Sequence, residues 1–256
     1  MLMKLEQCYG VQYLSLKHKN MELNQRKFIE SLIKDGQYLF EKQREKISFE
    51  TGVQEAESIL NNIELYPHIL FFGCIMQRRI KAGKAWLIPY KIGKKIGGFE
   101  FKKFLKLNKL SLKKIFLENK NLRPRIKNPE QIFYSAINDI HNKYQDDVSK
   151  IWAENLNSAV IVRRLLEFKG VGIKIATMTT NILARDFKIK MKDYSSIDIS
   201  PDVQVRKCFI ANGLLRKDVS NEEIIYFAKE IYPQYPGVLD LPAWKCGREI
   251  KSNRVK

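Results

Sequence analysis

The spacing of apolar residues constrains the fold of this chain more than any other feature of its sequence. Segments such as "RKFIESLIKDGQYLFEKQ" and "SAVIVRRLLEFKG" repeat apolar residues every three or four positions, which is the period of an amphipathic helix. Alternation of apolar and polar residues, the pattern of a half-buried strand, is rare. The sequence therefore predicts an all-α protein.

Turn signals divide this helical pattern into short segments. Pairs such as Gly97-Gly98 interrupt the periodicity, and Ser220 followed by Glu223 has the pattern of a capping box at a helix start. The predicted helices are Asn20–Lys46, Thr51–Asn61, His68–Gln77, Gly83–Ile96, Phe99–Leu105, Leu110–Glu118, Pro129–Asp146, Ser158–Phe168, Gly172–Arg185, Pro201–Ala211, Ser220–Ile231 and Leu241–Ile250.

The chain carries a large excess of positive charge. It has 46 lysine and arginine residues against 28 aspartate and glutamate residues, which gives a formal net charge of +18. The stretch from Lys91 to Lys127 contains 13 basic residues but only two acidic ones, Glu100 and Glu118. Such a surface attracts polyanions, because contact with a phosphate backbone releases condensed counterions. We expect a nucleic-acid partner, although a solvated lysine-rich face would have the same composition.

The cysteines and histidines have no spacing typical of a metal site. They are Cys8, Cys74, Cys208, Cys246, His18, His68 and His141. We expect each cysteine to be a small core residue or a free thiol, and each histidine to lie at the surface or to cap a helix. No long apolar run and no signal-peptide pattern are present. We therefore expect a cytoplasmic protein without a membrane span and without a metal or other cofactor.

The segment "LLEFKGVGIKIA" contains the most informative turn of the chain. It places Gly170-Val171-Gly172 between two amphipathic helices. The glycines permit a positive φ and leave no side chain to block an approaching backbone. The second helix then begins with unpaired amide N–H groups, which suit a phosphate oxygen. This turn predicts a phosphate contact, with Lys174 in the first turn of the second helix.

The sequence "GVGIKIA", from Gly170 to Ala176, resembles the hairpin of the HhH-GPD superfamily of DNA glycosylases, such as endonuclease III and 8-oxoguanine DNA glycosylase. Lys169 stands where that family often has proline, which adds charge and removes a rigid turn. The resemblance implies that Lys174 is the nucleophile that the bifunctional members use. On local grounds alone, a salt bridge or a phosphate contact explains a lysine at this place better than catalysis does.

A second motif downstream supplies a carboxylate. "PDVQVRK" resembles the family pattern Val-Asp-Thr-His-Val-x-Arg: Asp202 matches the aspartate, Gln204 replaces the histidine, and Lys207 falls on the basic position. The resemblance implies that Asp202 stabilises positive charge on the sugar. Read locally, an aspartate at this place suits a helix N-cap. Asp198 is a second candidate, but it lacks the helix pattern that follows Asp202.

The resemblance extends upstream to a loop that could contact DNA. Gln77 stands where endonuclease III has a glutamine that fills the hole left by a flipped base. An amide can hydrogen-bond the orphaned partner base as donor and acceptor, although an ordinary exposed glutamine fits the sequence too. The basic residues that would then line the DNA are Arg78, Arg79, Lys81, Lys84 and Lys169. Near the C-terminus only Cys246 remains of the cysteines that hold the endonuclease III cluster, which implies a member without an iron–sulfur cluster.

The resemblance implies a two-lobed helical protein with a DNA cleft. Residues 52–185 would form the six-helix barrel, with the hairpin at about 158–185, and residues 1–51 plus 186–256 would form the second lobe. We expect a monomer in the nucleoid of a bacterial or archaeal cell, bound to double-stranded DNA that contains a damaged base.

The implied activity is that of a bifunctional DNA glycosylase/AP lyase. Such an enzyme flips the damaged nucleotide out of the stack, attacks its C1′ atom with Lys174 and cleaves the strand by β-elimination. An oxidised base is expected, with 8-oxoguanine favoured over oxidised pyrimidines. The alternatives are a DNA-binding protein that uses the same hairpin without catalysis, and a structure-specific nuclease, which would need clustered acidic metal ligands.

Overall fold

The computed structural model describes residues 21–42, 46–119 and 127–250, and within these ranges it contains helices and no strand. The α-helices are α1 (Leu23–Glu41), α2 (Gln54–Asn61), α3 (Pro67–Ile75), α4 (Ala82–Lys95), α5 (Phe101–Phe104), α6 (Lys109–Glu118), α7 (Pro129–Tyr144), α8 (Ser158–Leu166), α9 (Ile173–Arg185), α10 (Val203–Ala211), α11 (Asn221–Ile231) and α12 (Asp240–Glu249). Two short 3-10 helices occupy Val148–Ile151 and Pro236–Leu239. The all-α prediction is confirmed. None of the described helices has both the length and the apolar character that crossing a bilayer requires.

The chain divides into two compact units. One is Gln43–Lys192, which we call the hairpin unit, and the other combines Met1–Lys42 with Asp193–Lys256, which we call the terminal unit. The barrel and lobe boundaries implied by the resemblance, at 52 and 185, stay a prediction.

Helix α3 is the centre of the hairpin unit. All nine of its residues are buried, and it packs against α2, α4, α7 and α9. Phe72 on α3 lies 4.4 Å from the ring centroid of Phe133 and 5.5 Å from that of Phe104. A Cβ on Gly73 would lie 2.2 Å from the Trp86 ring, so only glycine lets α4 pack this closely. A helix surrounded by protein must be apolar on every side, which explains the sequence "ILFFGCI".

His68 belongs to this core. Its side chain is only 5% exposed, its Nε2 atom lies 2.7 Å from the Phe99 carbonyl oxygen, and its ring packs edge-on against Phe72, Phe101 and Phe104. The prediction that it lies at the surface or caps a helix is therefore wrong. Burial lowers the pKa of His68 to about 4, because the apolar surroundings disfavour the charged imidazolium.

We expect the stability of the protein to depend on pH through His68. The unfolded chain protonates this histidine below about pH 6.5, whereas the folded chain resists protonation until about pH 4. The contribution of His68 to the free energy of unfolding is therefore complete above the pKa that it has in the unfolded chain. It is lost as the pH falls towards the pKa that it has in the folded chain. Between about pH 7 and about pH 5, the free energy of unfolding should fall by about 2 kcal/mol through this residue.

Denaturant unfolding at the two pH values measures this effect. In His68→Gln the loss on acidification should be smaller by about that amount, while the exposed His141 offers a control, His141→Gln, that should behave like the wild type. Equal losses in all three proteins would contradict the assignment.

The terminal unit is held together by close contacts between helix backbones. A Cβ on Gly247 of α12 would lie 2.0 Å from the Gln204 carbonyl oxygen of α10. A Cβ on Gly36 of α1 would lie 2.1 Å from the carbonyl oxygen of Val238 in the second 3-10 helix. These two glycines allow α10, α12 and α1 to pack without intervening side chains.

Candidate active site

The predicted hairpin is formed by α8, a short turn and α9. Gly170 has a φ of +82°, which a residue with a side chain adopts only at a cost. Val171 is buried and its amide donates to the Phe168 carbonyl oxygen at 3.0 Å. Gly172 is exposed, has extended backbone and would meet no atom within 4 Å if it carried a Cβ. The space in front of Gly172 is therefore open to an approaching ligand.

Aromatic packing fixes the hairpin on the rest of its unit. Phe168, at the end of α8, lies 4.7 Å from the ring centroid of Phe71 on α3 and stacks on Tyr144 of α7 at 5.9 Å. On α9, the buried hydroxyls of Thr179 and Thr180 donate to carbonyl oxygens one turn earlier, at 2.7 and 2.9 Å. Such hydroxyls are satisfied within the helix, so α9 can bury its apolar face without orphaned polar groups.

The start of α9 presents backbone amides next to Lys174. The Gly172 carbonyl oxygen accepts the first helical hydrogen bonds, from Ile175 and Ala176, each at 3.0 Å. The amides of Gly172 and Ile173 precede this first bond and have no helical acceptor. Gly172 and Ile173 are exposed, and Lys174 is half-buried. The start of α9 thus offers amide donors and the positive end of the helix dipole, which suit an anion, and Lys174 belongs to the same helical turn.

The loop between α3 and α4 lies against the hairpin turn. A Cβ on Gly170 would lie 2.8 Å from Nη1 of Arg78 and 3.1 Å from Cδ1 of Ile132. Gln77 directly precedes Arg78 and is half-buried, whereas Arg79 is exposed and has a left-handed φ of +54°. The structure therefore brings two distant parts of the predicted DNA-binding set, at Arg78 and at Gly170, into one surface.

The other predicted basic residues of this set are exposed. Lys81 is the N-cap of α4 and Lys84 lies in the first turn of that helix. Lys169 lies in the hairpin turn itself. All three side chains can reach solvent, as a phosphate contact requires.

The basic stretch from Lys91 to Lys127 covers the end of α4, α5 and α6. Residues 120–126 of this stretch lie outside the described residues. Three of its lysines form ion pairs, Lys94 with Glu55 at 3.3 Å, Lys95 with Glu118 at 2.9 Å and Lys103 with Glu100 at 3.2 Å. The remaining described lysines of the stretch are exposed: Lys91, Lys102, Lys106, Lys109, Lys113, Lys114 and Lys127. Most of this positive charge therefore faces water.

Asp202 caps helix α10 in the terminal unit. Its Oδ1 atom accepts hydrogen bonds from the amides of Gln204 at 2.7 Å and Val205 at 3.1 Å. The N-cap expected on local grounds is thus confirmed, and the helix begins at Val203 rather than at Pro201. The catalytic role of Asp202 stays a prediction. Capping a helix is compatible with that role and does not imply it.

The segment before Asp202 is held by contacts within its own unit. Asp198 is only 8% exposed and its Oδ1 lies 3.1 Å from Nζ of Lys229 on α11. The Ser200 amide donates to Oδ1 of Asp240 at 2.9 Å, and the Gly237 amide donates to the Ile197 carbonyl oxygen at 2.6 Å. Burial raises the pKa of Asp198, and the Lys229 ammonium opposes that rise. Asp198 thus has a structural partner in Lys229.

Lys207 also has a structural role. Its ammonium donates to the Ile250 carbonyl oxygen at the end of α12. A lysine near the last carbonyls of a helix complements their partial negative charge. No pattern in the sequence around Lys207 indicated this partner, because the two residues are far apart along the chain.

Cys208 and Cys246 are far apart in the sequence but are neighbours in the structure. The Cys208 thiol of α10 interacts with Cys246 of α12, and the side-chain nitrogen of Asn212 lies 3.8 Å from the Cys246 sulfur. The expectation of core residues or free thiols is confirmed for Cys74 and Cys208, which are buried, and Cys8 lies outside the described residues. Sequence spacing could not reveal the pair, because α10 and α12 meet only through the fold.

Within the described ranges, histidine, cysteine, aspartate and glutamate side chains form no group of three that could hold a metal ion.

No protein-family model matches this sequence, and no curated protein is significantly similar to it. The structure is similar to that of the Clostridium acetobutylicum 8-oxoguanine glycosylase/lyase in complex with double-stranded DNA containing cytosine opposite 8-oxoG, with a TM-score of 0.55 and 17% sequence identity over 72% of this chain. The similarity spans 60% of the length of that protein. The apo form of the same enzyme gives a TM-score of 0.51 and 16% identity, over 75% of this chain and 65% of that one.

A trapped covalent intermediate of endonuclease III with DNA, described as an estranged-adenine complex, is also similar. Its TM-score is 0.52 at 12% identity, over 88% of this chain and 85% of that one. These likenesses show that the chain has the fold of the HhH-GPD DNA glycosylases. At such low identity the likeness establishes the fold and not the reaction.

Proposed function

We propose that this protein is a bifunctional DNA glycosylase/AP lyase that acts on an oxidised base. The observation that carries the proposal is the open hairpin turn at Gly172, with Lys174 in the first turn of α9. This arrangement lies in a fold shared with an 8-oxoguanine glycosylase/lyase and with an endonuclease III that was trapped covalently on DNA. A lysine amine is a nucleophile that can form such a covalent adduct with a sugar.

The hairpin grips the DNA backbone. A phosphate oxygen accepts hydrogen bonds from the amides of Gly172 and Ile173, in the open space that Gly172 leaves. The guanidinium of Arg78, which lies over Gly170, contacts the same strand, and the exposed lysines add sequence-independent attraction. These contacts set the register of the protein on the duplex without reading the bases.

The damaged nucleotide leaves the stack, because its sugar cannot be attacked inside a duplex. Gln77, directly before Arg78 and therefore next to the hairpin surface, fills the vacated space and hydrogen-bonds the partner base with its amide.

The chemistry uses one amine and one carboxylate. The Lys174 nitrogen attacks C1′ of the flipped nucleotide while the bond to the base breaks and the base leaves with the bonding electrons. The side chain of Asp202 stabilises the positive charge that develops on the sugar. The sugar ring then opens to a Schiff base with Lys174, and loss of a proton from C2′ expels the 3′ phosphate. This β-elimination nicks the strand.

An oxidised purine, with 8-oxoguanine first, is the substrate class we propose. Its support is that two of the similar structures are of an 8-oxoguanine glycosylase/lyase. A panel of duplexes, each with one lesion, tests this choice by separate assays for base release and strand nicking. If 8-oxoguanine is released fastest, the proposed substrate is supported. If an oxidised pyrimidine is released fastest, that base replaces 8-oxoguanine as the proposed substrate. Binding without release of any base would leave only the DNA-binding role.

Gly172→Ala tests the backbone grip directly. The added methyl group meets no protein atom within 4 Å, and a φ of −105° suits alanine, so the fold should be unchanged. The methyl group would, however, occupy the space into which the phosphate approaches. We expect Kd for duplex DNA to rise about tenfold, the scale of one weakened hydrogen bond to a charged group. Fluorescence anisotropy measures the affinity.

Gly170→Ala is the matched control. At this position φ is +82° and the methyl group meets Arg78 and Ile132, so the free energy of unfolding should fall by at least about 1–2 kcal/mol. Gly172→Ala should keep the thermal midpoint of the wild type. Wild-type affinity in Gly172→Ala would show that no backbone approaches this turn.

A further inference from the structure

Cys208 and Cys246 belong to α10 and α12, two helices that pack directly against each other. The Asn212 side-chain amide donates to the Cys208 carbonyl oxygen at 2.8 Å and lies 3.8 Å from the sulfur of Cys246. One residue later on α12, Gly247 lies against Gln204, one turn before Cys208 on α10. The Asn212 side chain thus links the backbone of Cys208 to the side chain of Cys246 at the contact between the two helices.

The packing of these helices brings their backbones close together. A Cβ on Gly247 would lie only 2.0 Å from the Gln204 carbonyl oxygen, so no side chain separates the helices at this level. Disulfide formation requires Cβ atoms about 3.5–4.5 Å apart. The Cys208 thiol interacts with Cys246 across this glycine contact, so the two side chains are neighbours at a level where the helix backbones lie close together.

The two thiols differ in access. Cys246 is half-buried and lines a groove of about 390 Å³ between α1 and α12, together with Phe28, Leu32, Tyr38 and Lys245. Cys208 is fully buried, and burial together with the neighbouring Cys246 side chain raises its pKa. Cys246 is therefore the thiol that a small oxidant reaches first, and Cys208 is its neighbour in the protein interior.

We propose that Cys208 and Cys246 are a redox-active pair that a peroxide oxidises to a disulfide and a dithiol reductant restores. The Cys246 sulfur attacks one peroxide oxygen, the O–O bond breaks, and the departing oxygen leaves as water after protonation. The Cys208 sulfur then attacks the resulting Cys246 sulfenic acid, the S–O bond breaks, and a second water leaves with the Cys208 proton. The thiols lose two electrons, and hydrogen peroxide is reduced to two water molecules.

The disulfide would staple α10, the helix that Asp202 caps, to α12. It would close a loop across 38 positions of the sequence, which restricts the unfolded chain. This inference goes beyond the proposed function and does not depend on it, because neither thiol takes part in the DNA chemistry.

The test treats the full chain, in a Cys8→Ser background, with a small excess of hydrogen peroxide. Peptide mapping after alkylation should find a disulfide between Cys208 and Cys246, and the thermal midpoint should rise by roughly 5–10 °C and return on addition of dithiothreitol. Cys74 is an internal control: it is buried, and burial raises its pKa to about 12, so it should stay a free thiol.

Two variants complete the experiment. Cys246→Ser, at a half-buried position, should fold and show no rise in the thermal midpoint with peroxide. Lys174→Gln should form the disulfide as the wild type does, so failure of the proposed enzyme activity would leave this result unchanged. The proposal would be overturned if Cys246 oxidised to sulfinic acid while Cys208 stayed free, or if peroxide left both thiols unchanged.

Discussion

Replacing Lys174 by glutamine is expected to abolish borohydride trapping of the protein on duplex DNA that contains the lesion. Borohydride reduces the Schiff base between the enzyme and the sugar to a stable amine, so a covalent adduct appears only if a primary amine has attacked C1′. Glutamine keeps most of the length of lysine but has no nucleophilic nitrogen. Strand cleavage should fall by at least about a thousandfold, while DNA binding persists through the hairpin amides.

Lys174→Arg separates the two roles that a lysine at this place could have. Arginine keeps the positive charge and contacts phosphates well, but its guanidinium stays protonated and forms no Schiff base. If Lys174 is the nucleophile, Lys174→Arg should bind lesion-bearing DNA like the wild type and give no trapped adduct. If Lys174 only contacts a phosphate, Lys174→Arg should keep activity and Lys174→Gln should lose affinity.

If both Lys174 variants still give a trapped adduct, another amine is the nucleophile. Lys169, exposed in the same turn, would be the first alternative. Wild-type protein that binds DNA but gives no adduct with any lesion would support the non-catalytic hairpin protein instead.

The elements that depend on local sequence could be predicted closely. The sequence predicts a helix at Ser158–Phe168, where α8 spans Ser158–Leu166, and a helix at Gly172–Arg185, where α9 spans Ile173–Arg185. Here an amphipathic segment lies on each side of a glycine turn, so the local sequence determines where α8 ends and where α9 begins. The capping box of Ser220 and Glu223 is confirmed for the same reason.

Features that depend on contacts between distant segments could not be predicted. His68 follows a turn in a sequence that suits an exposed helix start, yet α3 is enclosed on all sides and takes His68 into an aromatic core. The position of Arg78 over Gly170 and the pairing of Cys208 with Cys246 likewise arise from helix packing. The two 3-10 helices, of four residues each, are too short to produce a periodic pattern.

Asp202→Asn is expected to slow base excision by about 100- to 1,000-fold, the scale seen when one preorganised electrostatic group is removed. Asparagine is as good an N-cap as aspartate, and its side-chain oxygen can accept the same two hydrogen bonds from Gln204 and Val205. The thermal midpoint should therefore stay close to that of the wild type. Single-turnover release of 8-oxoguanine measures the rate, and Asp202→Ala, which loses the cap, shows the stability cost of about 1 kcal/mol that asparagine avoids.

A second readout identifies the step at which Asp202 acts. A preformed abasic site already presents an aldehyde to Lys174, so no base has to leave and no positive charge has to develop on the sugar. Trapping of Asp202→Asn on an abasic duplex should therefore fall much less than base release does. Asp198→Asn is the matched control, because Asp198 is buried against Lys229: it should lower the thermal midpoint and leave the rate of base release per folded molecule unchanged. A slower rate in Asp198→Asn, with a normal rate in Asp202→Asn, would make Asp198 the catalytic carboxylate and Asp202 a helix cap alone.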